Sequence, residues 1–165
     1  MERIIDVSQY IYNEYKRQSG EVIDEMKLHK LLYLAQRESF AITGNPLFEE
    51  IFEGWKHGPV SKEVRTYCKV NGMNFQGLRE ISTQAAYIVK NVIIQYGSLA
   101  SWKLSEISHN EISWKNSRKG LIEGENGDRP MLIDDIRKDA EKVRPYDAIY
   151  DMYYDEFEDA EVVQW

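Results

Sequence analysis

The chain has 165 residues, 42% of them hydrophobic and 30% charged, with a formal net charge of −7. That length and balance point to one compact domain and argue against a second independent core. No apolar run approaches the roughly 20 residues that cross a bilayer. The start, Met1-Glu2-Arg3-Ile4-Ile5-Asp6, lacks the apolar stretch and small-residue cleavage site of a signal peptide. Cys68 is the one cysteine and cannot form an internal disulfide. A cytoplasmic protein with no membrane association is expected.

The charge is unevenly placed. From Pro145 to Trp165 there are seven acids and no Lys or Arg, so the 21 acids of the remainder balance the 21 bases. Such a chain is poorly suited to attract phosphate backbones, which makes nucleic acid an unlikely partner and a basic protein a better one.

In chain order, Ile4, Val7, Ile11 and Tyr15 recur at helical spacing and predict a first helix ended by Gly20. Asp6 with Gln9 resembles a capping box, which starts that helix near Val7. Leu28, Leu31, Leu32, Ala35, Ser39 and Ile42 mark a second helix, widened by Tyr33, Leu34 and Phe40. It is capped by Asp24 and stopped at Gly44-Asn45-Pro46. Being apolar around most of its circumference, it should be the hub of the fold. Leu47 to Trp55 reads as a short extended segment or an irregular connector. Gly58-Pro59 breaks the chain, and Ser61 caps a third helix bearing Val64, Tyr67 and Cys68. Ser82 or Thr83 opens a helix with Ala86, Val89, Ile93 and Tyr96 inward. Ser101 caps a short one through Leu104 and Ile107. Residues 120–130, with three glycines and Pro130, read as the loosest stretch. Asp134 caps a helix through Ile136 and Ala140, and Pro145 separates a last one. The expected fold is therefore mainly α: a single compact helical domain of about six to seven helices around a central buried helix. At most one very short β-hairpin, near 47–56, joins them.

Catalytic signatures are missing. His29, His57, His109 and Cys68 are not at structural-zinc spacings, and there is no phosphate loop, His-Glu-x-x-His or Gly-x-Ser-x-Gly. Cys68 reads as a buried structural thiol. His109 reads as a cap on the carbonyl end of its short helix, with Trp114 a core or lid residue. No catalytic residue, metal or cofactor is assigned.

Three stretches carry a resemblance: Leu28-His29-Lys30-Leu31-Leu32-Tyr33-Leu34-Ala35-Gln36, Glu53-Gly54-Trp55-Lys56-His57-Gly58-Pro59-Val60, and Leu104-Ser105-Glu106-Ile107-Ser108-His109 followed by Trp114-Lys115. In order and spacing they resemble the Panacea antitoxin domain family, with its SocA-like antitoxins and phage-associated GepA-like proteins. The likeness runs from about Val7 to the helix at Asp134. It implies a mostly helical domain that neutralises a toxin encoded beside it, by direct blocking or by hand-off to a protease. It implies no cofactor.

The motif residues Lys30, Leu31, Tyr33, Gln36, Trp55, Gly58, Pro59, Val60, His109 and Trp114 are expected to be chiefly architectural. Lys30, Tyr33 and Gln36 step by three along one helix edge. Trp55 is expected to anchor the entry to the third helix, and its loss should cost roughly 3–5 kcal/mol if the ring is buried. The Panacea-like domain is placed at 1–144, and residues 145–165 are read as an acidic, aromatic helix and tail docked on it. There Tyr146, Asp147, Tyr150, Asp151, Tyr153 and Asp155 are the candidate partner-binding residues, since tyrosines dominate many interfaces and acids speed association with a basic target. The alternatives are a DNA-binding regulator of its own operon, for which no separate basic recognition helix is visible, and an enzyme of unrecognised type.

Overall fold

The computed structural model describes residues 1–143. Among these, seven helices surround one another with a single short hairpin between the second and third. The mainly α expectation is met.

Helix α1 (Ile4–Ser19) buries Ile4, Val7, Ile11 and Tyr15. It starts earlier than the Asp6–Gln9 pattern suggests. Asp6 is a helical residue paired with Arg3 at 2.7 Å and accepting from the Arg79 N–H at 3.1 Å, while Gln9 bonds the Leu78 backbone. Both side chains are drawn off capping by tertiary partners. Helix α2 (Glu25–Thr43) is capped by Asp24, which accepts from the Lys27 N–H, and closed by Gly44 in the left-handed region. It packs against α1 and four later elements. Leu28, Leu31, Leu32, Tyr33 and Ala35 are all fully buried, whereas Ile42 is exposed.

Leu47–Ile51 is irregular, tied to the N-terminus where the Glu2 N–H donates to the Leu47 carbonyl. Strands β1 (Phe52–Trp55) and β2 (Gly58–Ser61) follow as an antiparallel hairpin with Phe52 opposite Ser61 and Trp55 opposite Gly58. The hairpin thus lies further along than 47–56, and Gly58-Pro59 is strand rather than breaker. Pro59 is tolerated because β2 is an edge strand with no neighbour asking for its missing N–H. The other edge, β1, is extended by residues 129–131: the Gly54 N–H donates to the Arg129 carbonyl and the Met131 N–H to the Phe52 carbonyl.

Helix α3 (Lys62–Asn71) is capped by Ser61, and α4 (Thr83–Tyr96) by Ser82. Cys68 is buried 3.7 Å from the Met73 sulfur, and burial pushes its thiol up to about 11, which favours the protonated form near neutral pH. Helix α5 (Ser101–His109) follows Ala100, which makes no side-chain cap, so Ser101 is the first helical residue and not its cap. Helix α6 (Ile112–Ser117) is too short to leave a periodic signal in the sequence. Helix α7 (Ile133–Glu141) begins after Leu132, with Asp134 and Asp135 inside its first turn, where they favour the positive end of the helix without capping it. Residues 144–165 lie outside the described residues, and with them Tyr146, Asp147, Tyr150, Asp151, Tyr153 and Asp155. No helix among the described residues is long and apolar enough to cross a membrane.

Candidate functional site

The three sequence stretches meet at the hairpin. Each of its four residues 54–57 is held through its backbone by a side chain from the α5–α6 region. Arg118 donates to the Gly54 carbonyl at 3.0 Å, and the Trp114 indole to that of Trp55 at 2.8 Å. His109 bonds the Lys56 backbone, and the Ser105 hydroxyl donates to the His57 carbonyl at 2.8 Å. His109 therefore serves the turn and not the end of its own helix. Its ring stacks on Trp114 with centroids 4.0 Å apart. On the opposite side, the Ser61 N–H donates to His29 Nδ1 at 3.1 Å. His29 Nε2 must then carry the proton, which it gives to Glu25 at 3.0 Å, and Glu25 is in turn bound by Arg65 at 2.8 Å.

The glycines of the hairpin are required by proximity. A Cβ on Gly54 would lie 1.8 Å from the Ser117 hydroxyl. One on Gly58, whose φ is +131°, would lie 2.9 Å from the Ser108 hydroxyl. Gly54→Ala is expected to destabilise the protein by about 1–3 kcal/mol, because Ser117 sits on a short helix that cannot withdraw without releasing Trp114. Chemical denaturation checks this, and a variant of wild-type stability would refute it.

Gln36 works as a substitute strand. Its amide donates to the Phe48 carbonyl at 2.9 Å, and its oxygen accepts from the Leu47 N–H at 2.7 Å. Tyr33 is fully buried, with its hydroxyl between Ser113 and Asp139 at 3.3 and 3.2 Å, and Leu31 is wholly core. Arg37, Glu38, Glu111 and Tyr96 form a polar cluster, buried around the Arg37 guanidinium. Sequence reasoning missed Arg37 and Glu38, although two adjacent charges in a helix apolar all round were a visible signal. Nothing local marked Asp139 or Arg118.

Above the clamped turn opens a cleft of about 830 Å³, bounded by the first turns of α2, the hairpin and residues 126–128. Its wall at 126–128 belongs to the stretch read as loosest, yet Arg118 spans from Gly54 to the Glu125 carbonyl and pins it. Lys30, Trp55, Gly58, Pro59 and Val60 line the cleft. Trp55 is only half-buried, its indole bonded to Glu53 at 3.0 Å, so it is a cleft-wall residue and no buried anchor. Trp55→Ala should cost about 1–2 kcal/mol, less than full burial implies. A thermal melt showing a loss above that range would contradict the half-buried placement.

Burial lowers the pKa of His29 below the ordinary 6.5, against the opposing pull of Glu25. A base depressed in the folded state stabilises fully above the unfolded value of about 6.5, and that stability is lost as pH falls from there through the lower folded-state value. Protonation also forfeits the Ser61 bond. The fall in melting temperature from pH 7.5 to 5.5 should therefore be smaller in His29→Gln than in wild type. Equal falls would exclude His29 as the source. Burial raises the pKa of Glu38 and Glu111, which act in the opposite sense, hence the comparison by difference.

Among the described residues no group of three or more His, Cys, Asp or Glu is placed to hold a metal ion. The arrangement is that of a helical domain in which one set of side chains fixes the backbone of a hairpin and leaves its turn facing a cleft. The family model for antitoxin SocA-like proteins, Panacea domain, matches residues 28–115, just over half of the chain. The chain belongs to this family. No curated protein and no solved structure matches it.

Proposed function

We propose that the protein is an antitoxin that neutralises a cognate toxin, encoded by an adjacent gene, through direct protein–protein contact. The observation that carries this reading is the family match over residues 28–115, which takes in all three stretches converging on the hairpin. The motif residues act by shaping a surface: those beneath the hairpin hold its backbone, and Trp55 to Val60 form the face a polypeptide meets. Residues 145–165 add a second element, in which Tyr146, Asp147, Tyr150, Asp151, Tyr153 and Asp155 engage a basic region of the toxin and raise the association rate. No catalytic step or cofactor is needed for this activity. Direct blocking and hand-off to a protease both begin with this same complex.

Co-expression of the neighbouring reading frame with this chain, with growth as the readout, tests the proposal. Arrested growth relieved by this chain, with recovery of a stable complex, is the expected result. A neighbour that is harmless, or toxic without relief, would overturn it.

A further inference from the structure

We infer that the cleft is a carboxylate-binding groove, and that in the free chain its occupant is the chain's own acidic, aromatic segment, residues 145–165. This goes beyond the antitoxin reading and does not depend on it.

The first support is Lys30. It is 3% exposed and lines the cleft, yet no carboxylate among the described residues lies within ion-pair distance of it. Among the described residues, its ammonium makes one hydrogen bond, a long 3.4 Å contact to the Ser101 carbonyl. A buried ammonium is costly unless paired. Lys27, one turn earlier, makes the contrast: its ammonium reaches both the Tyr15 hydroxyl and the Gly97 carbonyl. Burial accordingly lowers the pKa of Lys30, although nearby Asp24 partly offsets this. An arriving carboxylate would supply the missing partner.

The second support is the turn. Lys56 is exposed on the cleft wall with no ion-pair partner among the described residues, and its backbone is clamped from below, so it is presented from a rigid base. Glu25 and Arg65 neutralise each other at the far end. Asp128 is the other acid that lines the cleft. Between these charges lie apolar surfaces of Met26, Trp55 and Pro59, which suit aromatic side chains.

The occupant follows from charge and reach. Residues 145–165 hold seven carboxylates, no Lys or Arg, and Tyr146, Tyr150, Tyr153 and Phe157, while the rest of the chain is balanced. Extended, such a segment spans up to about 70 Å, more than the diameter of a domain of this size. It can therefore reach the cleft of its own chain from Val143.

Carbodiimide coupling of the full-length protein at high dilution, read by peptide mass spectrometry, is the test. Lys103–Glu106 and Lys62–Glu53 are already close enough to serve as internal controls. The expected result is an intramolecular link from Lys56 to an acid within 145–165, reduced about tenfold in about 1 M salt, where the screening length falls to ~3 Å. In Lys56→Glu, a surface change that spares the core, amide exchange across 145–165 should be about tenfold faster than in wild type. Links from the segment to lysines elsewhere, links only between two copies, no links beyond the controls, or unchanged exchange in Lys56→Glu would each overturn the assignment.

Discussion

Replacing Arg37 with methionine is expected to lower the unfolding free energy by about 3–5 kcal/mol, the cost of leaving buried charges without their counter-ion. Arg37 is 3% exposed and reaches Glu111 at 2.6 Å, Glu38 at 3.0 Å and the Tyr96 hydroxyl at 3.0 Å. Burial opposes its charge, but the two carboxylates more than compensate and hold its pKa above the ordinary value. Methionine fills much of the same volume, so the loss is electrostatic and not a cavity. Two signatures separate this cause from simple mispacking. Without arginine the two carboxyls, already raised by burial, must rise further, so the deficit should narrow as pH falls from 7 towards 5. The double variant Arg37→Met/Glu111→Gln should recover part of the loss, since neither position then leaves a buried charge. Urea denaturation at the two pH values measures both effects. A deficit below about 1 kcal/mol would mean the cluster is hydrated and worth little.

Asp139→Ala should cost about 3–4 kcal/mol by a different route. Helix α6 follows Glu111, which supplies no side-chain cap. The cap comes instead from α7: the Asp139 carboxylate accepts from the N–H groups of Ile112 at 2.7 Å and Ser113 at 3.0 Å, and from the Tyr33 hydroxyl. One residue 2% exposed therefore satisfies two helix-end donors and a buried phenol. Alanine orphans both N–H groups and leaves the Tyr33 hydroxyl with Ser113 alone. Since α6 carries Trp114 to the hairpin, its fraying should also change tryptophan fluorescence and loosen the cleft before global unfolding. The substitution Asp139→Asn keeps an acceptor oxygen but loses the charge, so its stability should fall between wild type and the alanine variant. If Asp139→Ala melts like wild type, the cross-helix cap contributes nothing.

Both residues lie outside the three recognised stretches. Arg37 directly follows the first stretch, and Asp139 sits in a helix identified only by Ile136 and Ala140. The recognised residues instead converge on one task. Gln36 holds the Leu47–Phe48 connector, His109 and Trp114 hold the turn, and Gly58 lets Ser108 approach it. Their order along the chain is a record of the hairpin's supports on either side of it.

The helices that bury a continuous stripe were readable in advance. Ile4–Tyr15 and Leu28–Phe40 repeat at the helical period, and a period is a property of neighbouring residues along the chain. Asp24, Ser61 and Ser82 were legible as caps for the same reason, each bonding an N–H three residues on. Asp6, Ser101 and Asp134 looked equally good and do not cap, because a side chain's choice of partner depends on what else comes within reach. The hairpin's place was hidden likewise: Gly58-Pro59 is strand because residues 129–131 and the α5–α6 region grip β1 and the turn from distant parts of the chain. Local periodicity is written into short windows of sequence, whereas the cleft, the clamped turn and the α7-to-α6 cap consist of bonds between residues tens of positions apart, which exist only once the chain has closed on itself.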